Sequence, residues 1–378
     1  RSGWRERYCV VASGGDLRMS CDCSADWRVE VLNLATGARR MYVKPLSLSF
    51  EEKLNEVGSG TMTLSIHDAL MVNIWPHITS VMVTRIAGPG ATPSSPVGVW
   101  CGLVEEVSAD SGGEVSIGMV SLEGYLAYRI LPKYSVEDRS QTLIAADFVR
   151  APNSIPLKAD PRSSSVKRTR NYDRNDYKMR LEALLQLTEV INGPDYRLTH
   201  AFANGAWSTT VVIQDRVGNP VSQPLNVRRG ITNYRLNVSA TDHRTNQFGS
   251  GESIHSSATD NSEMYPVFEI SNQWSDVSKQ NTLDEHTRGA LQNNKHPRAQ
   301  PSLQIADLNT ALHYNIGDTL NINMNHGVVQ FVGDTRLVSK AWSIAEGQPT
   351  YCQFGFIPDT DPATSVLNVP PSNREGCC

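Results

Sequence analysis

The sequence has little of what marks the specialised classes of protein. No stretch approaches the ~20 apolar residues of a membrane-spanning helix, and Arg1-Ser2-Gly3-Trp4-Arg5 carries no apolar run like that of a secretory leader. These absences predict neither a membrane span nor export. There is no surplus of positive charge: 35 Lys and Arg stand against 39 Asp and Glu, a formal net charge of -4. A dedicated nucleic-acid binder, which rests on an excess of cations, is therefore not expected. The seven cysteines, Cys9, Cys21, Cys23, Cys101, Cys352, Cys377 and Cys378, cannot all pair within one chain and follow no disulfide framework, which predicts a mostly reduced protein made in a cytoplasm. Signatures of catalysis are missing too. There is no Gly-x-x-x-x-Gly-Lys-Ser/Thr phosphate cradle, no His-Glu-x-x-His zinc pair and no Gly-x-Ser-x-Gly elbow.

What is present is an ordinary folding chain, 39% hydrophobic and 20% charged. Its 378 residues exceed what one core comfortably organises, so two or more domains are expected. The first third reads as strands. Val29 and Val31, then Leu46, Leu48 and Phe50, then Met62, Leu64 and Ile66, then Val115, Ile117 and Met119 alternate with polar residues. Val81-Met82-Val83 and Trp100 to Val104 add apolar runs, with turn signals at Gly37, Gly58 to Gly60 and Gly112-Gly113. This spacing predicts an antiparallel barrel or sandwich.

The middle differs. Ser140 can cap a short helix carrying Leu143, Ile144 and Phe148. A second helix is expected from Asn175 or Asp176, with Leu181, Leu184, Leu185 and Ile191 on one face, ending at Gly193-Pro194. The basic stretch from Lys158 to Arg180, with Lys167, Arg168, Arg170 and Arg174, reads as a long surface loop. Strands return at Thr209 to Gln214 and Asn233 to Ser239, and the polar run from Thr241 to Ser262, including Gly249-Ser250-Gly251, reads as loop and turn. A helix over Thr282 to Ala290 precedes a second small β-domain: Leu320, Ile322 and Met324, then turns at Gly317-Asp318 and Gly333-Asp334, then strands Thr335 to Ile344 and Tyr351 to Phe356. Beyond Pro358 the Pro-rich sequence favours an extended arm.

Candidate chemical groups are few. Glu105-Glu106 would point to opposite faces of a strand and could not share a substrate. His67, Asp68 and His77 have the side chains of a metal or acid–base site, but their spacing fits neither a strand face nor a helical turn. Cys9, Cys21 and Cys23 with Cys377 and Cys378 are the metal candidates, since thiolates from two segments can hold zinc or an iron–sulfur cluster; they lack the Cys-x-x-Cys spacing, and free thiols are the alternative. The basic stretch has only Tyr172 and Tyr177 as stacking residues for nucleic acid.

Read in order, several segments resemble the minor tail proteins of long-tailed, non-contractile phages of actinobacteria. They are Trp27 to Gly37 with Leu46 to Phe50, Gly58 to Leu64, Val99 to Val104, Ser121 to Leu126, and Arg170-Asn171-Tyr172 leading to Gly193-Pro194-Asp195-Tyr196. That family is similar in design to baseplate hub proteins. The resemblance implies two β-barrel-like tube domains per chain, a homotrimer matching a hexameric distal tail protein on one side and a central fibre or other minor tail proteins on the other. It also implies a tape-measure protein ending in the lumen, and DNA passing through without specific binding. The fold class is then mainly β with an α+β insertion. The domains are an N-terminal hub domain over 1–130, the insertion over 131–232, a second hub domain over 233–357 and the arm over 358–378. The place implied is the virion tail tip, after assembly in the host cytoplasm, with no cofactor and no catalytic residue. The cysteine-bearing first segment and the Pro-rich end depart from the pattern. Two other readings are a cell-wall hydrolase acting through the insertion and a receptor- or glycan-binding tail protein using exposed residues such as Trp207 and Trp274.

Overall fold

The structure, a computed structural model, describes residues 27–86, 91–92, 96–150, 154–226, 231–260, 265–275, 277–295, 298–306, 308–326, 329–345 and 350–358. The first third forms β1 (Trp27–Asn33), β2 (Arg39–Val43), β3 (Ser47–Lys53), β4 (Ser59–Ser65), α1 (Ile66–Val72), β5 (Thr79–Arg85), β6 (Val97–Ala109) and β7 (Glu114–Ser121). Alternation places Leu48 and Phe50, Met62 and Leu64, and Val115, Ile117 and Met119 in one core. β5 is buried along its whole length because both faces are covered: Val81 and Val83 enter that core, while Met82 enters a second one behind the sheet.

The second core belongs to the middle of the chain. There β8 (Tyr134–Ser140), α2 (Gln141–Arg150), β9 (Leu157–Pro161), β10 (Lys167–Tyr172), α3 (Arg180–Thr188), β11 (Asp195–Ala203) and β12 (Ala206–Gln214) pack Ile144, Phe148, Leu184, Leu187 and Val211 against Leu32, Met82 and Leu103 of the sheet. The chain continues through β13 (Pro220–Asn226) and β14 (Ile231–Ser239). A small three-stranded sheet follows, β15 (Asn246–Ser250), β16 (His255–Thr259) and β17 (Glu269–Gln273), with α4 (Gln280–Asn294). The last block is β18 (Arg298–Ile305), α5 (Leu308–His313), β19 (Thr319–His326), β20 (Val329–Ala345) and β21 (Tyr351–Pro358).

The two β-regions meet in one 13-stranded sheet. In the first half the order is β3-β4-β7-β6-β5-β1-β2, and in the second it is β13-β19-β20-β21-β18-β14. Each half is a barrel-like run whose two end strands follow one another in the chain, and no closed barrel is found among the described residues. The halves share β20. Its first part pairs with β19 and its last part, Ser339 to Ala345, pairs antiparallel with β3. At this seam Trp27, Phe50, Trp100 and Trp342 form an aromatic cluster with ring centroids 5.1–6.2 Å apart. Two of the three indole N–H groups are satisfied at the same place: Trp342 Nε1 donates to Glu52 at 3.0 Å and Trp100 Nε1 to the Glu51 carbonyl at 3.1 Å, while buried Trp27 Nε1 finds no acceptor among the described residues. Glycine is required beside Trp100, where a Cβ on Gly102 would lie 2.3 Å from the indole.

Several segments differ from their sequence expectation. The stretch from Lys158 to Arg180 is not a loop, since most of β9 and all of β10 lie within it. The inward residues of β10 include Arg170 beside Tyr172, so its buried face is partly cationic and hides the apolar alternation. The polar run after Thr241 contains β15 and β16, because its inward residues are Gln247 and Gly249, small or amide groups against α4. Gly249 and Ser250 accordingly end a strand and do not form a turn. Gly333-Asp334 also lies inside a strand, β20, where Asp334 accepts from Asn321 at 2.9 Å across the ladder. The second helix begins only at Arg180: the Lys178 carbonyl accepts from Leu131 N at 2.7 Å and Arg180 N donates to the Arg129 carbonyl at 2.9 Å, holding Met179 extended. The proposed C-terminal arm lies outside the described residues apart from Pro358.

Two substitutions measure the seam. Trp342→Ala is expected to lower the free energy of urea unfolding by about 3–5 kcal/mol through cavity formation. Gly102→Ala should cost about 1–3 kcal/mol by overpacking against Trp100.

Candidate functional site

The sequence-predicted chemical groups are not gathered into one site. Cys9, Cys21, Cys23, Cys377 and Cys378 lie outside the described residues. Cys101 and Cys352 are buried thiols, and burial pushes Cys101 up to about 12 and Cys352 upward as well, which keeps both protonated. No group of three or more His, Cys, Asp or Glu residues suited to a metal occurs among the described residues. Asp68 caps α1 together with Ser65, whereas His77 sits apart in a left-handed turn with its ring 4.9 Å from Tyr128. Glu105 accepts from Tyr128 Oη at 2.6 Å, and Glu106 lies across the sheet from Gly118 beside a bulge. Trp207 is buried on β12 and donates to Glu30 at 2.9 Å.

The structure instead brings together a polar junction between the middle of the chain and both sheet halves. Asp195 is its centre. Its carboxylate accepts from Asn55 Nδ2 at 2.7 Å, from Val217 N at 2.9 Å and from the Arg336 guanidinium, so β11, the turn after β3 and β20 are tied at one side chain. Asn55 occupies the left-handed region (φ 58), which Asn tolerates, and its other amide atom accepts from Tyr196 N. A second buried carboxylate, Glu30 on β1, joins Arg39 of β2 at 2.7 Å to Trp207 of β12.

Beside these ties lies a cavity of about 290 Å³ where β3, β6, β11 and β20 converge. Glu123, Arg197, His200 and Lys340 face it. Ser121 Oγ donates to Glu123 Oε1 at 2.7 Å, while Glu123 Oε2 has no hydrogen-bond partner among the described residues. Burial raises the Glu123 carboxyl to about 7, so it is largely protonated in mildly acidic solution. Burial lowers His200 to about 4, and its ring stays neutral there, 3.0 Å from Thr209 Oγ1. The junction is thereby sensitive to pH.

The outer surface carries a chain of exposed apolar side chains. Trp75 (58% exposed) and Ile78 flank His77, whose ring meets Tyr128. Ile130 bridges to Met179, which lies two residues after Tyr177 (67% exposed). Connected apolar exposure of this kind marks a surface that another molecule covers. Sequence reading missed it because its residues come from three separate segments; the signal was a pair of large apolar residues in each, Trp75 with Ile78, Tyr128 with Ile130 and Tyr177 with Met179.

Because Glu123 is raised above its unfolded value, its contribution is full below pH ~4.5 and lost as pH rises through about 7. Relative to Glu123→Gln, the natural protein should lose on the order of 3 kcal/mol of stability across that window, read by urea melts at a series of pH values. His200 acts in the opposite direction: its contribution is full above ~6.5 and lost as pH falls through about 4.

No family model and no curated protein sequence matches the chain. Solved structures do. The chain is similar to a tail protein from Neisseria meningitidis MC58, at 11% identity and a TM-score of 0.56, over 89% of this chain and 97% of that one. It is also similar to the 43 kDa tail protein of prophage MuSo2 from Shewanella oneidensis, at 12% identity and a TM-score of 0.59, over 90% of this chain and 100% of that one. A chain of the lidded Francisella PdpA-VgrG complex gives 9% identity and a TM-score of 0.51, over 88% of this chain and 52% of its own length. At these identities the likeness is one of fold: along nearly its whole length the chain has the architecture of the Neisseria and Shewanella tail proteins.

Proposed function

We propose that the chain is a structural minor tail protein of a long-tailed, non-contractile bacteriophage of actinobacteria, forming the tail-tip or baseplate hub and working by assembly, without catalysis or cofactor. The observation that carries this reading is β20, one strand serving two barrel-like runs, so that each chain brings two β-units to a ring. Three copies then offer six such units. A homotrimer built this way meets a hexameric distal tail protein on one side and a central fibre or other minor tail proteins on the other. The tape-measure protein ends in the lumen, and DNA follows; the net charge of -4 suits passage without holding.

The likeness in fold to the Neisseria and Shewanella tail proteins supports the tail reading. The actinobacterial assignment rests on the order of the segments from Trp27 to Tyr196. In this arrangement 1–130 and 233–357 form the two hub domains, 131–232 the insertion and 358–378 an arm on a neighbour, with β13 lending its strand to the second half. The apolar residues from Trp75 to Tyr177 would be buried between subunits, as the core of an interface requires.

Antibody labelling of intact virions, followed by averaging of the tail tip, should find the protein there in threefold copy number. Its absence from the virion, or a single copy on a side fibre, would sink the proposal. In solution Trp75→Ser with Ile130→Asp should shift the purified trimer towards monomer in sedimentation runs, with stability changed by less than about 1 kcal/mol because both side chains are exposed.

A further inference from the structure

A trough between β10 and the start of α4 lies outside the assembly reading, and its walls come from distant parts of the chain. One wall carries Lys167, Arg170 and Asn171, and the other carries Trp274, Lys279 and Asn281. Two hollows of about 540 and 80 Å³ share Thr169, Arg170, Lys279 and Thr282 and so run together.

Three kinds of group face the trough. The first is aromatic: Trp274 stacks on His286 with centroids 5.3 Å apart, and it packs so closely on Gly249 that a Cβ there would lie 2.9 Å from the indole. The ring is held in one position. The second is cationic. Among the described residues Lys167 and Lys279 pair only with Asp138 and Glu137, which are themselves 77% and 80% exposed at their side chains. Such surface pairs contribute ~0–1 kcal/mol, so an anion arriving in the trough displaces them at little cost. Arg168, by contrast, is committed to Glu285 and the Ile191 carbonyl and holds the walls together. The third is neutral and polar: the side chains of Asn171, Ser278, Asn281 and Thr282 make no hydrogen bond among the described residues.

We propose that this trough binds a carboxylate-bearing oligosaccharide. A sugar ring lies against Trp274, its hydroxyls take the unsatisfied amides and hydroxyls, and its carboxylates reach Lys167 and Lys279. A rigid indole with convergent polar groups in a concavity is the composition of a small-ligand site. Single-stranded nucleic acid would need successive stacking rings along its path; of the other rings lining the trough Tyr172 is buried and His286 is stacked on Trp274, which leaves one such platform. An acidic peptide would use the lysines but leave the indole and the amides without a role.

The test is calorimetric titration of the full chain, at physiological salt, with four probes of similar length: tetragalacturonate, neutral cellotetraose, a poly-glutamate peptide and oligo-dT. Tetragalacturonate is expected to bind with Kd below about 1 mM, at least tenfold more tightly than each of the others. Lys167→Gln with Lys279→Gln should weaken it at least tenfold, and both residues are exposed enough for the fold to survive. Trp274→Phe should weaken the acidic sugar and leave any binding of the peptide unchanged. Absence of binding by tetragalacturonate, equal affinity for cellotetraose, tighter binding of peptide or oligo-dT, or indifference to the double lysine substitution would each overturn the proposal.

Discussion

The antiparallel pairing of β3 with β20 is the constraint on which the rest of the molecule depends. It joins residues 290 positions apart, as the bond from Trp342 to Glu52 shows, and turns two β-regions into one sheet. Closing so long a loop costs conformational entropy that grows only slowly with length. The return is concentrated at the seam, where the rings of Trp27, Phe50, Trp100 and Trp342 are buried together and their indole N–H groups, where engaged, bond to β3. Because β20 continues past the seam into β19 and β21, both halves are fixed relative to each other by one continuous backbone.

The middle of the chain depends on the same sheet from the other side. β1 and β5 send alternate residues into two cores, so the sheet is an interior wall and not an outer surface. The ties across that wall are carboxylates, Glu30 and Asp195, each with charged and neutral donors. Buried carboxylates are held by their donors: Asp195 has three from three segments, and Glu30 receives both of its donors at Oε2. Glu123 lacks a partner at one oxygen and answers by holding its proton. The junction is thus directional at Asp195 and Glu30 and pH-dependent at Glu123.

Much of the fold was legible in the sequence, and the reasons are physical. β3, β4 and β7 have one apolar face and one polar face, so Leu48, Phe50, Met62, Leu64, Ile117 and Met119 announced both strand and core. β10, β15 and β16 did not, because their inward positions include Arg170, Gln247, Gly249 and Ser256, which leave no apolar alternation to read. The start of α3 was misplaced because backbone bonds from residues 129–131 hold 178–180 extended. Asp195, which carries the junction, is an unremarkable Asp after Gly-Pro until β11 brings it to Asn55 and Arg336. The trough has the same origin: Lys167 and Trp274 each stood out, but only the packing of α4 on β10 places them together.

The central claim is that the β3–β20 seam makes the two halves one cooperative unit. Native-state hydrogen exchange in low denaturant tests it most directly, by comparing the amides of β5 and β6 in the first half with those of β18 and β21 in the second. The account predicts that the slowest amides of both halves exchange at one common free energy, equal to that of global unfolding. Two separate levels, with one half opening while the other stays protected, would contradict it.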